Sequence, residues 1–256
     1  MPPRNVLVAA LATALLAASC TPTPFACAAS GGVLGVETQL RFVDANDGQV
    51  VFTFGPSPVS NAFGVPTYPV ERVDGASGLP ALRVVFQGTS VRYPDGSTSY
   101  DGPLLIGVSG RNVLEVELAK DVDRAMTWTV TPQGGCPRVA AKTYVYGKSP
   151  RAQVALTFGG MSAFTLETTS DFIGTPQDTP VQASGIGFAP NAMIVITAGG
   201  AKLWDTTSDA DGAFDSGFNI GYPAPGVYSV SASDARGHRG VTRLTVILPT
   251  NPFRRP

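Results

Sequence analysis

Chemically reactive side chains are scarce in this sequence of 256 residues. It contains one histidine and three cysteines, charged residues make up 14% of the chain, and the formal net charge is −1. A nearly balanced charge excludes the basic footprint that nucleic-acid binding requires. One histidine and three cysteines leave little material for a metal site. Chemistry is therefore scarce in this composition, and we expect no cofactor.

Apolar residues and turn-forming residues are what the sequence does contain. Apolar residues reach 43%, and the 29 glycines and 22 prolines together form about a fifth of the chain. That share lies below the quarter or more that is typical of low-complexity disorder. The chain is long enough for one or two domains, each with a buried core.

The N-terminus predicts export. Residues 1–19 combine the cation of Arg4 with an apolar run that is too short to span a bilayer, which is typical of a signal peptide. The residues before Cys20 resemble the lipobox of bacterial lipoproteins, which implies acylation of Cys20, a tether over 20–32 and attachment to the membrane through lipid. Cleavage after Ala28 is the alternative, and it would release a secreted protein.

The cysteines leave two alternatives open. If Cys20 carries lipid, Cys27 and Cys136 remain, and an even number in an oxidising compartment favours a disulfide. The other interpretation is a free buried thiol at one position and a mobile one near the N-terminus.

The remaining sequence predicts an all-β chain. Short apolar runs alternate with Asp-Gly, Gly and Pro turns, and no helical period is present. Leu114, Val116 and Leu118, for example, alternate with glutamates, as in a strand with one solvated face. We expect two β-sandwich domains in tandem, over 33–159 and 162–248, a hinge at the glycine pair 159–160 and a disordered tail over 249–256.

The C-terminal half resembles the Ig-like modules of bacterial surface and secreted proteins. The resemblance rests on three structural motifs: VQASGIGFAPN from Val181, TSDADGAF from Thr207 and APGVYSVSA from Ala224. It implies about seven short strands arranged as a sandwich.

The N-terminal half resembles the AMIN-like domain of actinobacterial lipoproteins. The matching stretches are QVVFTF from Gln49, YPV from Tyr68, LRVVF from Leu82, YDGP from Tyr100, DVDRAMTWTV from Asp121 and SPRAQVALTF from Ser149. The resemblance implies a small β-sandwich without catalytic machinery that binds peptidoglycan or another envelope polymer.

An aromatic pair beside basic residues is the candidate binding surface. Tyr144 and Tyr146 share one strand face, and exposed rings on a sheet can stack on sugars, although alternating aromatics also fill sandwich cores. Trp128 alternates with apolar neighbours, which favours the core. Basic residues near the tyrosines could bind acidic wall polymers. They are Arg138, Lys142, Lys148 and Arg151.

Other chemistry-bearing residues favour structural roles. Weak calcium binding is conceivable at Asp209, Asp211 and Asp215, but their spacing differs from that of an EF-hand and favours a hairpin turn. His238 lies in a charged turn without a nucleophile pattern. A glycosidase-like acid–base pair would need two aspartates held across a cleft. The candidates, which we expect in solvated turns instead, are Asp44, Asp47, Asp121 and Asp123.

The sequence thus predicts a non-catalytic, exported envelope protein whose partner is a cell-wall polymer. The alternative is a protein-interaction or adhesion scaffold whose Ig-like edge strands pair with another envelope protein. A deep pocket with a perturbed carboxylate pair would instead indicate a hydrolase.

Overall fold

Strands connected by turns and loops form the protein in the computed structural model. It describes residues 27–58, 62–75, 79–89, 100, 102–122, 124–133, 135–146, 148–168, 179–220 and 226–246. These residues form seventeen strands and no helix, which confirms the predicted all-β class. No helix that could cross a membrane occurs among them. The predicted signal peptide, Cys20 and the tail over 249–256 lie outside the described residues.

The first ten strands form two sheets. The strands are β1 (Ala29–Gly31), β2 (Thr38–Asn46), β3 (Gln49–Pro56), β4 (Tyr68–Asp74), β5 (Pro80–Gln87), β6 (Leu105–Gly107), β7 (Val113–Val122), β8 (Ala125–Pro132), β9 (Arg138–Tyr146) and β10 (Ser149–Thr157). Sheet 1 has the order β1-β4-β5-β8-β7-β6, and sheet 2 has the order β2-β3-β10-β9. Their neighbouring strands are antiparallel.

The last seven strands form two further sheets. The strands are β11 (Ala163–Thr168), β12 (Thr179–Ile186), β13 (Met193–Ala198), β14 (Ala201–Thr207), β15 (Ala213–Ile220), β16 (Gly226–Asp234) and β17 (Arg239–Val246). Sheet 3 has the order β11-β12-β15, and sheet 4 has the order β14-β13-β16-β17. We call sheets 1 and 2 the first unit and sheets 3 and 4 the second unit.

Each unit has its own apolar core between its two sheets. In the first unit Trp128 is completely buried, as its alternation predicted, and packs edge-on against Phe52 and Tyr100. In the second unit Phe214 packs against Phe164 and Phe188. Both cores are built by the inward-facing half of each strand, because alternate side chains point to opposite faces of a sheet.

The N-terminal tether is shorter than predicted. Residues 29–31, which the sequence placed in the tether, form β1 and pair with Tyr68–Val70 of β4. Cys27 is bonded to Cys136, so the first described residue is already fixed to the first unit.

The two units are stacked face to face. Sheet 2 packs on sheet 3, where Val51 and Ala155 of sheet 2 meet Ala163 and Ile186 of sheet 3. Strand β17 of sheet 4 also contacts sheet 2, through the hydrogen bond from Thr242 to Asp44. Strands β3 and β10 are consequently buried on both faces. The sequence predicted a hinge at residues 159–160, but the glycine pair turns the chain between two units that are in extensive contact. Both glycines have positive φ values, which glycine adopts without strain.

Candidate functional site

The predicted tyrosine surface is not a solvent-exposed sheet face. Tyr144 is only 6% exposed, because sheet 3 covers the face of β9 on which it lies. Its hydroxyl donates to Glu167 across 3.5 Å and accepts from the Nε2 of Gln153 across 3.4 Å. Burial raises the pKa of the Tyr144 hydroxyl, and the nearby Glu167 carboxylate raises it further. The prediction that Tyr144 offers an open stacking face is therefore wrong.

The basic residues near the tyrosines do not form one surface patch either. Arg151 is buried, bonded through Nη2 to Glu167 Oε1 at 2.9 Å, and its guanidinium lies 5.0 Å from the ring centre of Tyr146. Arg138 and Lys148 are exposed. They flank opposite ends of β9, which at the rise of a strand places them roughly 30 Å apart.

Lys142 is half-buried and contacts the second unit. Its ammonium group donates to the carbonyl oxygen of Phe214 and lies 5.4 Å from the centre of the Tyr144 ring. Burial lowers the pKa of Lys142 to about 8, although the negative charges of Asp215 and Asp209 act in the opposite direction. Of the six predicted ligand-binding residues, Tyr144, Lys142 and Arg151 thus hold the two units together.

Hydrogen bonds between polar side chains join sheets 2 and 3. The members of this polar layer are Gln49, Thr53, Tyr144, Arg151, Gln153, Thr165, Glu167 and Ser184. At its centre, the Nε2 of Gln153 donates to Thr165 Oγ1 across 2.8 Å, and its Oε1 accepts from Ser184 Oγ across 3.1 Å. Gln49 exchanges two hydrogen bonds of 2.7 Å with the backbone N–H and C=O of Phe164.

The aspartates considered as an acid–base pair have separate structural roles. Asp44 lies in β2 and accepts hydrogen bonds from Thr242 Oγ1 at 2.7 Å and Gln49 Nε2 at 3.2 Å, which links the two units. Burial raises the pKa of Asp44. The predicted solvated turn is wrong for this residue. Asp47 accepts from the backbone N–H of Asn112 at 2.6 Å in the β2–β3 turn. Asp121 lies in β7, and residue 123 is outside the described residues.

Two of the calcium candidates, Asp209 and Asp211, lie in a turn, and the third, Asp215, lies in β15. One carboxylate oxygen of Asp209 accepts hydrogen bonds from the backbone N–H groups of Asp211 and Ala213, at 2.9 and 2.8 Å. The φ of +74° at Gly212 completes the turn before β15. Within the part of the chain that the structure describes, no three His, Cys, Asp or Glu residues converge as metal ligands.

His238 has a buried partner that the sequence did not reveal. Its Nδ1 lies 2.8 Å from Asp234 Oδ2, and the same carboxylate accepts from the backbone N–H groups of Ala189, Arg236 and His238. Burial by itself would raise the pKa of Asp234, but these hydrogen bonds lower it below its ordinary value. The pair fixes the β16–β17 turn against the loop that follows β12.

Cys27 and Cys136 form a disulfide, which was one of the two alternatives. The bonded residues are 109 positions apart in sequence, and their Cα atoms lie 5.2 Å apart. The loop-entropy model assigns such a closure about 4–5 kcal/mol of stabilisation. The bridge fastens the N-terminal end of the described chain to the segment between β8 and β9.

A shallow pocket beside this N-terminal segment contains one ion pair. Its volume is about 230 Å³, and its lining includes Val36, Gln87, Glu37 and Arg124. The Glu37 carboxylate is paired with the Arg124 guanidinium. This pocket therefore does not supply the two unpaired carboxylates that a glycosidase mechanism uses.

Trp204 is an exposed aromatic residue that the sequence patterns do not single out. It lies on β14, an edge strand of sheet 4, opposite the buried Ile196 of β13, so its side chain points toward the rim of the core. Trp204 is 42% exposed, and its indole stacks on the ring of Phe218 with 5.9 Å between centroids and 7° between planes. Its Nε1 donates to Ser216 Oγ at 3.1 Å. The available signal was a tryptophan within the polar segment AKLWDTT.

Comparisons with known proteins identify no relative. No protein-family model matches the chain, no curated protein is similar to it, and no solved structure matches its fold. The AMIN-like and Ig-like resemblances consequently stay predictions.

Proposed function

We propose that this protein is a non-catalytic, exported envelope protein that binds peptidoglycan or another cell-wall polymer and is anchored to the membrane by lipid on Cys20. The observation that carries the proposal is the Cys27–Cys136 disulfide. Disulfides of this structural kind persist in oxidising, extracytoplasmic compartments. The polymer as ligand comes from the AMIN-like resemblance of the first unit.

The position of the disulfide also supports attachment close to a membrane. Cys27 is seven residues after Cys20 in the sequence. A chain of that length reaches at most roughly 25 Å when fully extended. Lipid on Cys20 would therefore hold the first unit near the bilayer, where wall polymer is the neighbouring material.

Edge-strand pairing with another protein receives less support from the structure. A long uncharged edge strand would favour it, but three of the four edge strands of sheets 3 and 4 carry exposed charges, namely Asp215 on β15, Lys202 and Asp205 on β14, and Arg239 and Arg243 on β17. Charged side chains on edge strands are a common protection against pairing with other chains.

Sedimentation with purified cell-wall sacculi tests the polymer-binding proposal. The full mature chain with Cys20→Ser, which carries no lipid, is expected to pellet with sacculi and to stay in solution without them. A protein that remains in the supernatant at every sacculus concentration would contradict the proposal. The full chain is used because the polar layer of each unit is buried against the other unit, and an isolated unit would expose that layer to water.

Detergent phase partitioning tests the lipid anchor. The wild-type chain produced in a bacterial host is expected in the detergent phase, and Cys20→Ser in the aqueous phase, because an acyl group adds buried methylene groups that favour the micelle. Ser19→Thr, which keeps the cysteine, serves as the neighbouring control. Equal partitioning of wild type and Cys20→Ser would contradict the anchor and favour the secreted alternative.

A further inference from the structure

Trp204, Phe218 and Ser216 form a rigid aromatic surface at the open side of the second unit. Edge strand β14 carries Trp204, and edge strand β15 of the facing sheet carries the other two residues. The indole covers Phe218, which is 6% exposed, so one face of the indole is occupied by protein. The residue as a whole is 42% exposed, so the face turned away from Phe218 is the one that a ligand can reach. We call this set the Trp204 platform.

The platform is held in place before any ligand arrives. Stacking on Phe218 fixes the plane of the indole, and the 3.1 Å hydrogen bond from Nε1 to Ser216 Oγ fixes its rotation within that plane. A side chain that is already ordered loses little conformational entropy when it binds. This distinguishes Trp204 from an ordinary exposed apolar residue such as Val227, which is 67% exposed.

The chemistry of the platform favours a ligand with one flat apolar face and a polar circumference. The indole N–H is already bonded to Ser216, so the surface offered to a ligand is the π face. Polar groups border it: Thr206 follows two positions later on the same face of β14, and the hydroxyl group of Ser216 lies on the facing strand. A pyranose ring has this shape, because its axial C–H groups form a flat patch surrounded by hydroxyl groups.

We infer that Trp204 is a stacking site for the pyranose ring of a cell-envelope glycan. This inference rests on the proposed function and assigns its contact to the second unit rather than to the tyrosines of the first. The expected ligand lies on the open face of the indole, and its hydroxyl groups reach the polar residues of β14 and the surrounding water. No covalent step is involved.

Tryptophan fluorescence of the chain can report on this site. The chain has two tryptophans, and Trp128 is completely buried in the first unit. Fluorescence that iodide can quench therefore comes from Trp204. The experiment titrates the full mature chain with a β-1,4-linked N-acetylglucosamine hexasaccharide and, separately, with cellohexaose. A saturable change in emission together with protection from iodide is expected for at least one of the two glycans.

Three variants separate a binding role from a structural one. Trp204→Ala is expected to weaken glycan binding, measured by calorimetry, about tenfold or more, since stacking on an aromatic ring contributes roughly this factor. Trp204→Phe keeps a ring and is expected to bind with intermediate affinity. Val227→Ala, at another exposed apolar position, is expected to stay within about twofold of wild type. Circular dichroism of each variant shows whether the second unit is folded.

The outcomes distinguish this inference from the proposed function. Unchanged emission and quenching of wild type with both glycans at roughly 10 mM would overturn the platform, and so would a response to tetramethylammonium without one to sugar. If wild type and folded Trp204→Ala pellet equally with sacculi, the platform is wrong but polymer binding stands. If neither pellets, polymer binding fails, and the soluble-glycan titration alone decides the platform.

Discussion

The contacts within the units and the contact between them are built from different side chains. The cores of both units are apolar, with Trp128 and Phe52 between sheets 1 and 2 and Phe164 and Phe214 between sheets 3 and 4. Between sheets 2 and 3, by contrast, four small or branched apolar residues accompany a hydrogen-bonded polar layer around Gln153.

The two kinds of contact therefore have different roles: the apolar cores stabilise each unit, and the polar layer determines how the two units are aligned. Apolar burial stabilises a unit but is non-directional. Hydrogen bonds between buried side chains are directional, and a misplaced partner leaves a buried polar group unsatisfied, at a cost of about 1–3 kcal/mol. The polar layer thus gives the two units one favoured arrangement. Interfaces between domains are also commonly more polar than domain cores.

The largest expected effect comes from breaking an apolar core. Trp128→Ala is expected to lower the free energy of unfolding by about 4 kcal/mol, because removal of a buried aromatic residue leaves a cavity in the first unit. Urea denaturation followed by circular dichroism measures the change. Trp204→Ala removes the same side chain type from an exposed rim and is the matched control, with an expected loss below half of that value. Equal losses would contradict the contrast between core and rim.

A smaller effect is expected from removing the centre of the polar layer. Gln153→Ala is expected to lower the free energy of unfolding by about 2 kcal/mol, since Thr165 and Ser184 each lose a buried partner. Gln133→Ala, at an exposed position, is the matched control and should change stability by less than about 0.5 kcal/mol. If the two variants unfold at the same urea concentration, the layer does not contribute to stability.

The smallest expected effect is a pH dependence that originates at Lys142. Its pKa in the folded state is about 8, below the ordinary 10.5, so the unfolded state binds more protons between these values. The contribution of Lys142 to the free energy of unfolding therefore rises as pH increases from 8 to 10.5. We expect about 1 kcal/mol, since the side chain is only half-buried.

Lys142→Met removes this titration. The difference in unfolding free energy between wild type and variant, measured at pH 7 and pH 10, cancels the titrations that both proteins share. A difference that does not change with pH would contradict the burial of Lys142 against Phe214, Asp209 and Asp215.

The sequence predicts strands and cores better than it predicts what packs against the polar face of a strand. The environments of Trp128 and of the alternating residues from Leu114 to Leu118 are predictable, because the burial of apolar side chains is favourable. On β11, Phe164 and Leu166 likewise predict an inward face. Thr165 and Glu167 predict only a polar outward face, and the same pattern fits water or another polar sheet.

The candidate site was predicted incompletely for the same reason. The alternation of Tyr144 and Tyr146 was compatible with a core or with an open platform, and the structure buries Tyr144 beneath a second sheet that local sequence does not encode. The sequence does not indicate the environment of Trp204, because β14 is mostly polar and has no clear apolar alternation. The stacking of Trp204 depends on Phe218, fourteen residues later and in a different sheet.

A double-mutant cycle on Arg151 and Glu167 tests the stacked arrangement most directly. The two residues lie in different units, are nearly buried and are 2.9 Å apart. Unfolding free energies are measured for wild type, Arg151→Met, Glu167→Gln and the double variant. The account predicts a coupling energy of about 2 kcal/mol, because each single change leaves the other charge buried without its partner. A coupling energy of zero would mean that the units do not meet through this layer in solution, and would contradict the account.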